Sequence, residues 1–407
     1  MSFDWGAGTT YYVAKWGNDS NAGTSPVTPK LTIDGALTDA TTDGDNVEII
    51  DEGTYVESVT VRANDITVAH TASTLGRPVM QGAGALAWAF NTIGGPYNNL
   101  TIDGLEVKNY VTDPGNDDGG FVKNAAGMTG LTIKNCFAHQ ISRINYNQLG
   151  GTLTNPTLIE KTIVFADDLA TDDVIESQVS AYIKVVNCLI TGTTGGYDHN
   201  QALYNANGSV HSTASFSTFI HRGTKTESQV IVEKVAKVID CIVSGAGYGI
   251  QTNDHTYNVV DTSQTNFLTA GGASASAGTG DQNDTNPLFV DGDSMGNTIA
   301  VAENYKIQAD SPAYAAGIAF DSINEDLASE TRVNPPSIGA YEYIRAWSDY
   351  YDSGKRFTGA FVDRKFERVK GDYKYKWTVP NRQGPFSLNI PGVPSLRNRS
   401  SAYSGSI

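Results

Sequence analysis

Leu131-Thr132-Ile133-Lys134-Asn135-Cys136-Phe137, Ile183-Lys184-Val185-Val186-Asn187-Cys188-Leu189 and Lys237-Val238-Ile239-Asp240-Cys241-Ile242 repeat one pattern. Each is a short β-type run, then Asn or Asp, then cysteine, then an apolar residue. The cysteines stand 52 and 53 residues apart, and half of either interval is a period of about 26, within the range of solenoid repeats. Thr162 falls midway between the first two, and Ser215 is the expected counterpart between the second two. Leu100-Thr101-Ile102 echoes Leu131-Thr132-Ile133 upstream.

A unit of this length supplies about three short strands and their turns, and cannot bury an apolar face alone. Stacking the units in parallel buries one continuous core and pairs the backbone ladders. The Asn or Asp beside each cysteine suits a turn, because its side chain bonds locally and tolerates left-handed backbone angles. Cysteines two rungs apart lie about 9–10 Å from each other at the usual rung spacing, too far for a disulfide. They are expected to be small buried fillers of one column.

Composition fits this reading. The chain has 407 residues, 42 of them Gly, and no apolar run long enough to span a membrane as a helix. The first residues have no basic and apolar leader, so no export signal is expected. The formal charge of −16 is uneven: residues 345–407 carry twelve Lys or Arg against five Asp or Glu, leaving the remainder strongly acidic. That arm has eleven aromatics and four prolines and no regular period. Leu31 to Ala40 reads as a short capping helix, and Gly271 to Gly280 as a flexible loop.

Two segments carry a family resemblance. Tyr11-Tyr12-Val13-Ala14-Lys15-Trp16-Gly17-Asn18-Asp19 with Gly44-Asp45-Asn46-Val47 and Gly53-Thr54-Tyr55 is one; Asn286-Pro287-Leu288-Phe289-Val290 through Ile338-Gly339-Ala340-Tyr341-Glu342-Tyr343 is the other. They resemble extracellular right-handed parallel β-helix proteins of the pectate-lyase-like class, whose members include lyases, hydrolases, adhesins and phage spikes. The resemblance implies an all-β, right-handed parallel β-helix over residues 46–344, a cap over 1–45, a closing rung near 286–343 and an extended C-terminal arm over 345–407. It implies a working groove along one face.

Candidates for acid–base chemistry in such a groove are Asp167 and Asp168, with His139, His221 and Arg222 expected on the same side. Asp117 with Asp118, and Asp172 with Asp173, are further acidic pairs; Arg143, Lys161, Lys184 and Arg222 are candidate bases. The Asp198-His199 and Asp254-His255 dipeptides fix no third ligand, and no metal site is assigned; calcium is the one cofactor lyase chemistry would add. In the arm, Trp347, Tyr350, Arg364, Lys365, Phe366, Tyr373 and Trp377 suit protein docking better than nucleic acid, because acids dilute the charge and Arg with aromatics typifies interfaces. The reading favoured by the arm is a structural or receptor-facing virion protein, assembled in the host cytoplasm and docked to other virion proteins, with a homo-oligomer and a host-surface glycan as further partners. A groove-acting polysaccharide lyase or glycoside hydrolase, located outside the cell, is the alternative.

Overall fold

The computed structural model describes residues 5–70, 76–83, 87–92, 94–95, 97–110, 119–123, 127–146, 151–166, 173–177, 182–192, 201–205, 212–221, 230–245, 247–292 and 298–343. The chain separates into two units, Met1–Ala346 and Trp347–Ile407. The second unit, and with it every arm residue named above, lies outside the described residues.

The first unit is a right-handed parallel β-helix. One ten-stranded sheet runs from Thr10–Val13 to His255–Thr256, and a second runs from Thr54–Tyr55 to Gln282–Asn283. The third face holds a four-stranded sheet ending at Arg143–Tyr146 and a five-stranded one starting at Glu176–Ser177. All strand ladders in these sheets are parallel, each strand pairing with its counterpart one coil away. Val47, Val68, Ile102, Ile133, Ile159, Val185, Ala214 and Val238 stack along the inner side of the first sheet, all fully buried. Burying such a Val or Ile is worth about 1.5–3 kcal/mol each, which makes register error costly.

The cysteine column is real, with one change of member. Register places Leu105, Cys136, Thr162, Cys188, Ser217, Cys241 and Asn258 above one another, between the first and second sheets. The interval of 53 therefore divides into 29 and 24, and Ser217 replaces Ser215, which lies on the outer side of its strand. In the column each side chain from Cys136 to Cys241 donates to the carbonyl two residues back: Cys136 to Lys134 at 3.2 Å, Thr162 to Glu160 at 2.9 Å, Cys188 to Val186 at 3.2 Å, Ser217 to Ser215 at 3.0 Å and Cys241 to Ile239 at 3.3 Å. The position selects a small side chain with a donor, which is why Cys, Thr and Ser interchange there. The residue before each is left-handed: Gly104, Asn135, Lys161, Asn187, Phe216, Asp240 and Tyr257 have φ between 46° and 78°. Asn and Asp suit this angle; Lys161, Phe216 and Tyr257 adopt it at the same corner of the stack.

The ends differ from expectation. The first sheet already starts at Thr10–Val13, within the N-terminal segment and cap expected over 1–45, because Thr10 to Val13 pair with Asn46 to Ile49. Helix Ile33–Asp39 does cover the N-terminal core with Ile33, Ala36 and Leu37, and its Thr32 cap accepts from the Gly35 N–H at 2.9 Å. At the other end the stretch from Gly271 to Gly280 is mostly exposed, as a loop would be, but touches the body at two points. Ala275 lies against the core and donates its N–H to Phe267, and a Cβ on Gly278 would stand 2.1 Å from the His255 carbonyl. Gly278 serves close approach here.

Residues 286–292 and 298–343 do not form a closing rung. They run as a strap along the outer side of the second sheet. Phe289, Tyr305, Ile307, Ile338 and Tyr341 form a second apolar cluster with the outward-facing Phe137, Phe165, Leu189, Ile220 and Ile242. The left-handed corner residues point outward and anchor it. Lys161 Nζ meets Glu325 Oε2 at 2.6 Å, Asn187 donates to the Glu325 carbonyl at 2.8 Å, and Asp240 Oδ1 accepts from Ile318 N–H at 2.9 Å. Arg332 is buried over the Phe216 ring, donates to Asn187 Oδ1 at 2.7 Å and lies 3.5 Å from the fully buried Glu342 carboxylate.

Candidate active site

Strands Glu106–Tyr110 and Phe137–Ile141 of the second sheet pair with Glu106 beside Phe137, Val107 beside Ala138 and Lys108 beside His139. Val107 and Ala138 point into the core, so by strand alternation Glu106, Lys108, Phe137 and His139 share the outer side. Both strands carry a left-handed residue directly after this patch, Asn109 and Gln140, and the register with the following rung slips between His139 and Ile141. Bulges of this kind re-aim side chains and are frequent beside functional sites.

The four side chains form a connected group. His139 Nε2 lies 3.0 Å from Glu106 Oε1, and Lys108 Nζ lies 3.1 Å from the same oxygen. Phe137 stacks on the imidazole, centroids 4.5 Å apart and planes 19° from parallel. The hydrogen bond from His139 is the largest influence holding the Glu106 carboxyl below its usual range, and the Lys108 bond and charge add to it against the cost of burial. An ionised Glu106 accepts, so in the neutral ring Nε2 carries the proton and Nδ1 keeps a lone pair. His139 is 8% exposed, and its buried Nδ1 has no hydrogen-bond partner among the described residues. Lys108 is more open to solvent than the ring.

The expected constellation is only partly assembled. Asp167, Asp168 and Arg222 lie outside the described residues, as do Asp117, Asp118, Asp172, Asp198 and His199. His221 does not join His139. It belongs to a strand three rungs away, about 14 Å along the stack, and follows outward Thr218 and Ile220 on the opposite side of the alternation. Burial lowers its pKa. Arg143 is 1% exposed, and Asp173 is buried with its Oδ1 accepting from Gln201 N–H at 2.9 Å. Lys161 and Lys184 are held by strap carboxylates. His255 stacks on Phe267 and bonds the buried Asp281 at 2.6 Å, a polar seal on the last coil. Among the described residues no three His, Cys, Asp or Glu side chains gather as a metal ion would require. The cysteines are free and buried, and burial pushes the Cys136 and Cys188 thiols up to about 12.

Glu106 and Lys108 were not among the candidates read from the sequence. The echo of Leu100-Thr101-Ile102 in Leu131-Thr132-Ile133 is an offset of 31, and the same offset sets Lys108 beside His139. That was the available signal.

Comparisons with protein-family profiles and with curated proteins found no match. Among solved structures, a rhamnogalacturonan lyase is similar with a TM-score of 0.39 and 16% identity, over 63% of this chain and 73% of the other. Pectate lyase Pel9A is similar with a TM-score of 0.44 and 15% identity, over 83% and 97%. Likeness at this level carries no argument about activity. The fold of the first unit rests on the coil-by-coil pairing above.

Proposed function

We propose that this protein acts on a polysaccharide lying over the part of the second sheet's outer side that the strap leaves open, beside the partly exposed Glu106 and Lys108, with His139 as general base. The observation that carries the reading is an imidazole oriented by Glu106 whose other ring nitrogen is buried and unpartnered. Once substrate binding uncovers it, His139 Nδ1 would take the proton from a sugar carbon next to a carboxyl group. The electrons form a carbon–carbon double bond, the glycosidic bond at the next carbon breaks, and its oxygen leaves with the pair and takes a proton. Lys108 supplies positive charge beside the substrate carboxylate as charge develops. Glu106 is held ionised by two partners, which suits it poorly to the acid role in a two-carboxylate hydrolase. Elimination is therefore preferred over hydrolysis.

The test is incubation with neutral and uronic-acid polysaccharides, with and without calcium, while ultraviolet absorbance of new double bonds and reducing ends are followed. Wild type is expected to give unsaturated fragments, and His139→Ala and Glu106→Gln to give essentially none. No product from any polysaccharide, or product unaffected by His139→Ala, would refute the reading.

A second reading rests on the charge asymmetry between an acidic body and the basic, aromatic residues 345–407. Those residues are proposed to dock the protein to others, as in a virion component carrying the body outward. Deleting 345–407 should then abolish incorporation into particles while leaving the body folded; unchanged incorporation would remove this reading. The two readings are compatible, since a docked body can still act on a host glycan.

A further inference from the structure

The hydrogen bond to Glu106 directs one nitrogen of His139, but a single bond does not hold the plane of a ring hinged at Cβ–Cγ, and any turn about that hinge moves Nε2 and weakens the bond. The plane of the ring, and with it the direction of Nδ1, needs a second constraint. Phe137 provides a face 4.5 Å away and 19° from parallel, and is itself met edge-on by Phe165 at 6.0 Å and 88°. Phe137 and Phe165 are buried in the cluster they share with strap residues such as Tyr305, Ile307 and Tyr341. Resting on the function proposed above, we propose that Phe137 is a positioning residue: its ring, pinned by Phe165 and the strap cluster, fixes the imidazole plane and so aims Nδ1. The strap thereby has a part in the site without supplying a reacting group.

The experiment compares wild type, Phe137→Leu, Phe137→Tyr, Phe165→Leu and His139→Ala, each checked for folding by its melting curve. The readouts are the titration of the Glu106 carboxyl, followed by NMR on glutamate-labelled protein without substrate, and kcat and KM on any cleaved polysaccharide. In Phe137→Leu the Glu106 midpoint should rise toward that of His139→Ala, and kcat should fall roughly ten- to a hundredfold with KM little changed. Phe137→Tyr, which keeps the stacked ring, should restore both. A folded Phe137→Leu protein with the wild-type Glu106 titration overturns the positioning role, whatever its activity. If Phe137→Leu does not fold, Phe165→Leu is read by the same criterion. Absence of cleavage by wild type would instead overturn the proposed function, and the titration would still decide the positioning role.

Discussion

Replacing Asp240 by Asn should stabilise the protein at alkaline pH and cost about 1–3 kcal/mol in acid. Asp240 is the left-handed corner residue under the strap, fully buried. Its Oδ1 accepts from Ile318 N–H at 2.9 Å, while its buried Oδ2 has no partner among the described residues. Burial pushes its carboxyl from 3.8 to about 7, against the opposing pull of the Ile318 N–H and the Arg332 charge. The raised group binds its proton more tightly folded than unfolded. Its contribution is therefore fully present below pH 3.8 and is lost as pH rises through about 7. At roughly 1.4 kcal/mol per pH unit, ionisation in place costs up to about 4 kcal/mol. Asn keeps the acceptor for Ile318 and removes that cost, offset by about 1–3 kcal/mol for amide protons that meet no acceptor. A net gain of about 1–3 kcal/mol is expected above pH 8, or at most about 2–4 °C in melting temperature per kcal/mol. Paired melting curves at pH 4 and pH 8.5 are the assay. An Asp240→Asn protein that melts at or below wild type at pH 8.5 would refute the argument.

Other substitutions test separate parts. Arg332→Met should cost about 3–5 kcal/mol, because it leaves buried Glu342 without its cation; hydrogen exchange should show the loss first in residues 313–343. Cys188→Ser should cost under about 1 kcal/mol, since a hydroxyl can keep the bond to the Val186 carbonyl. Ser217→Ala should cost about 1–3 kcal/mol by stranding the Cys188 N–H it accepts at 3.1 Å, and urea midpoints would rank the pair. Gly278→Ala should destabilise the C-terminal cap by about 1–3 kcal/mol through the clash with the His255 carbonyl, read as earlier proteolysis between residues 264 and 285.

What the sequence made legible follows from register. Three cysteines on one buried stripe, with Asn135, Asn187 and Asp240 turning the corners, could be read because a strict stack repeats local chemistry. Helix Ile33–Asp39 could be read from its composition. Ser217 could not be distinguished from Ser215 by counting, because loops of unequal length leave 29 and 24 residues where an even period expects 27 and 26. The strap was hidden for a different reason. The outward side chains Phe137, Phe165, Leu189 and Ile220 are apolar on the wrong side for a solvated sheet, but which way each points depends on register that single strands do not reveal. Glu106 and His139, 33 residues apart, become neighbours only once the 31-residue offset is applied across the sheet.

The account stands on the strap lying across the second sheet in the stated register, since that placement buries Phe137 and sets His139. Zero-length carbodiimide cross-linking followed by peptide mass spectrometry tests it directly, because lysines join only carboxylates they touch. Links from Lys161 to Glu325 and from Lys184 to Asp321, at 2.6 and 3.5 Å, are predicted. Links from Glu325 and Asp321 only to lysines of the last coil, with Lys161 and Lys184 unreacted, would contradict it.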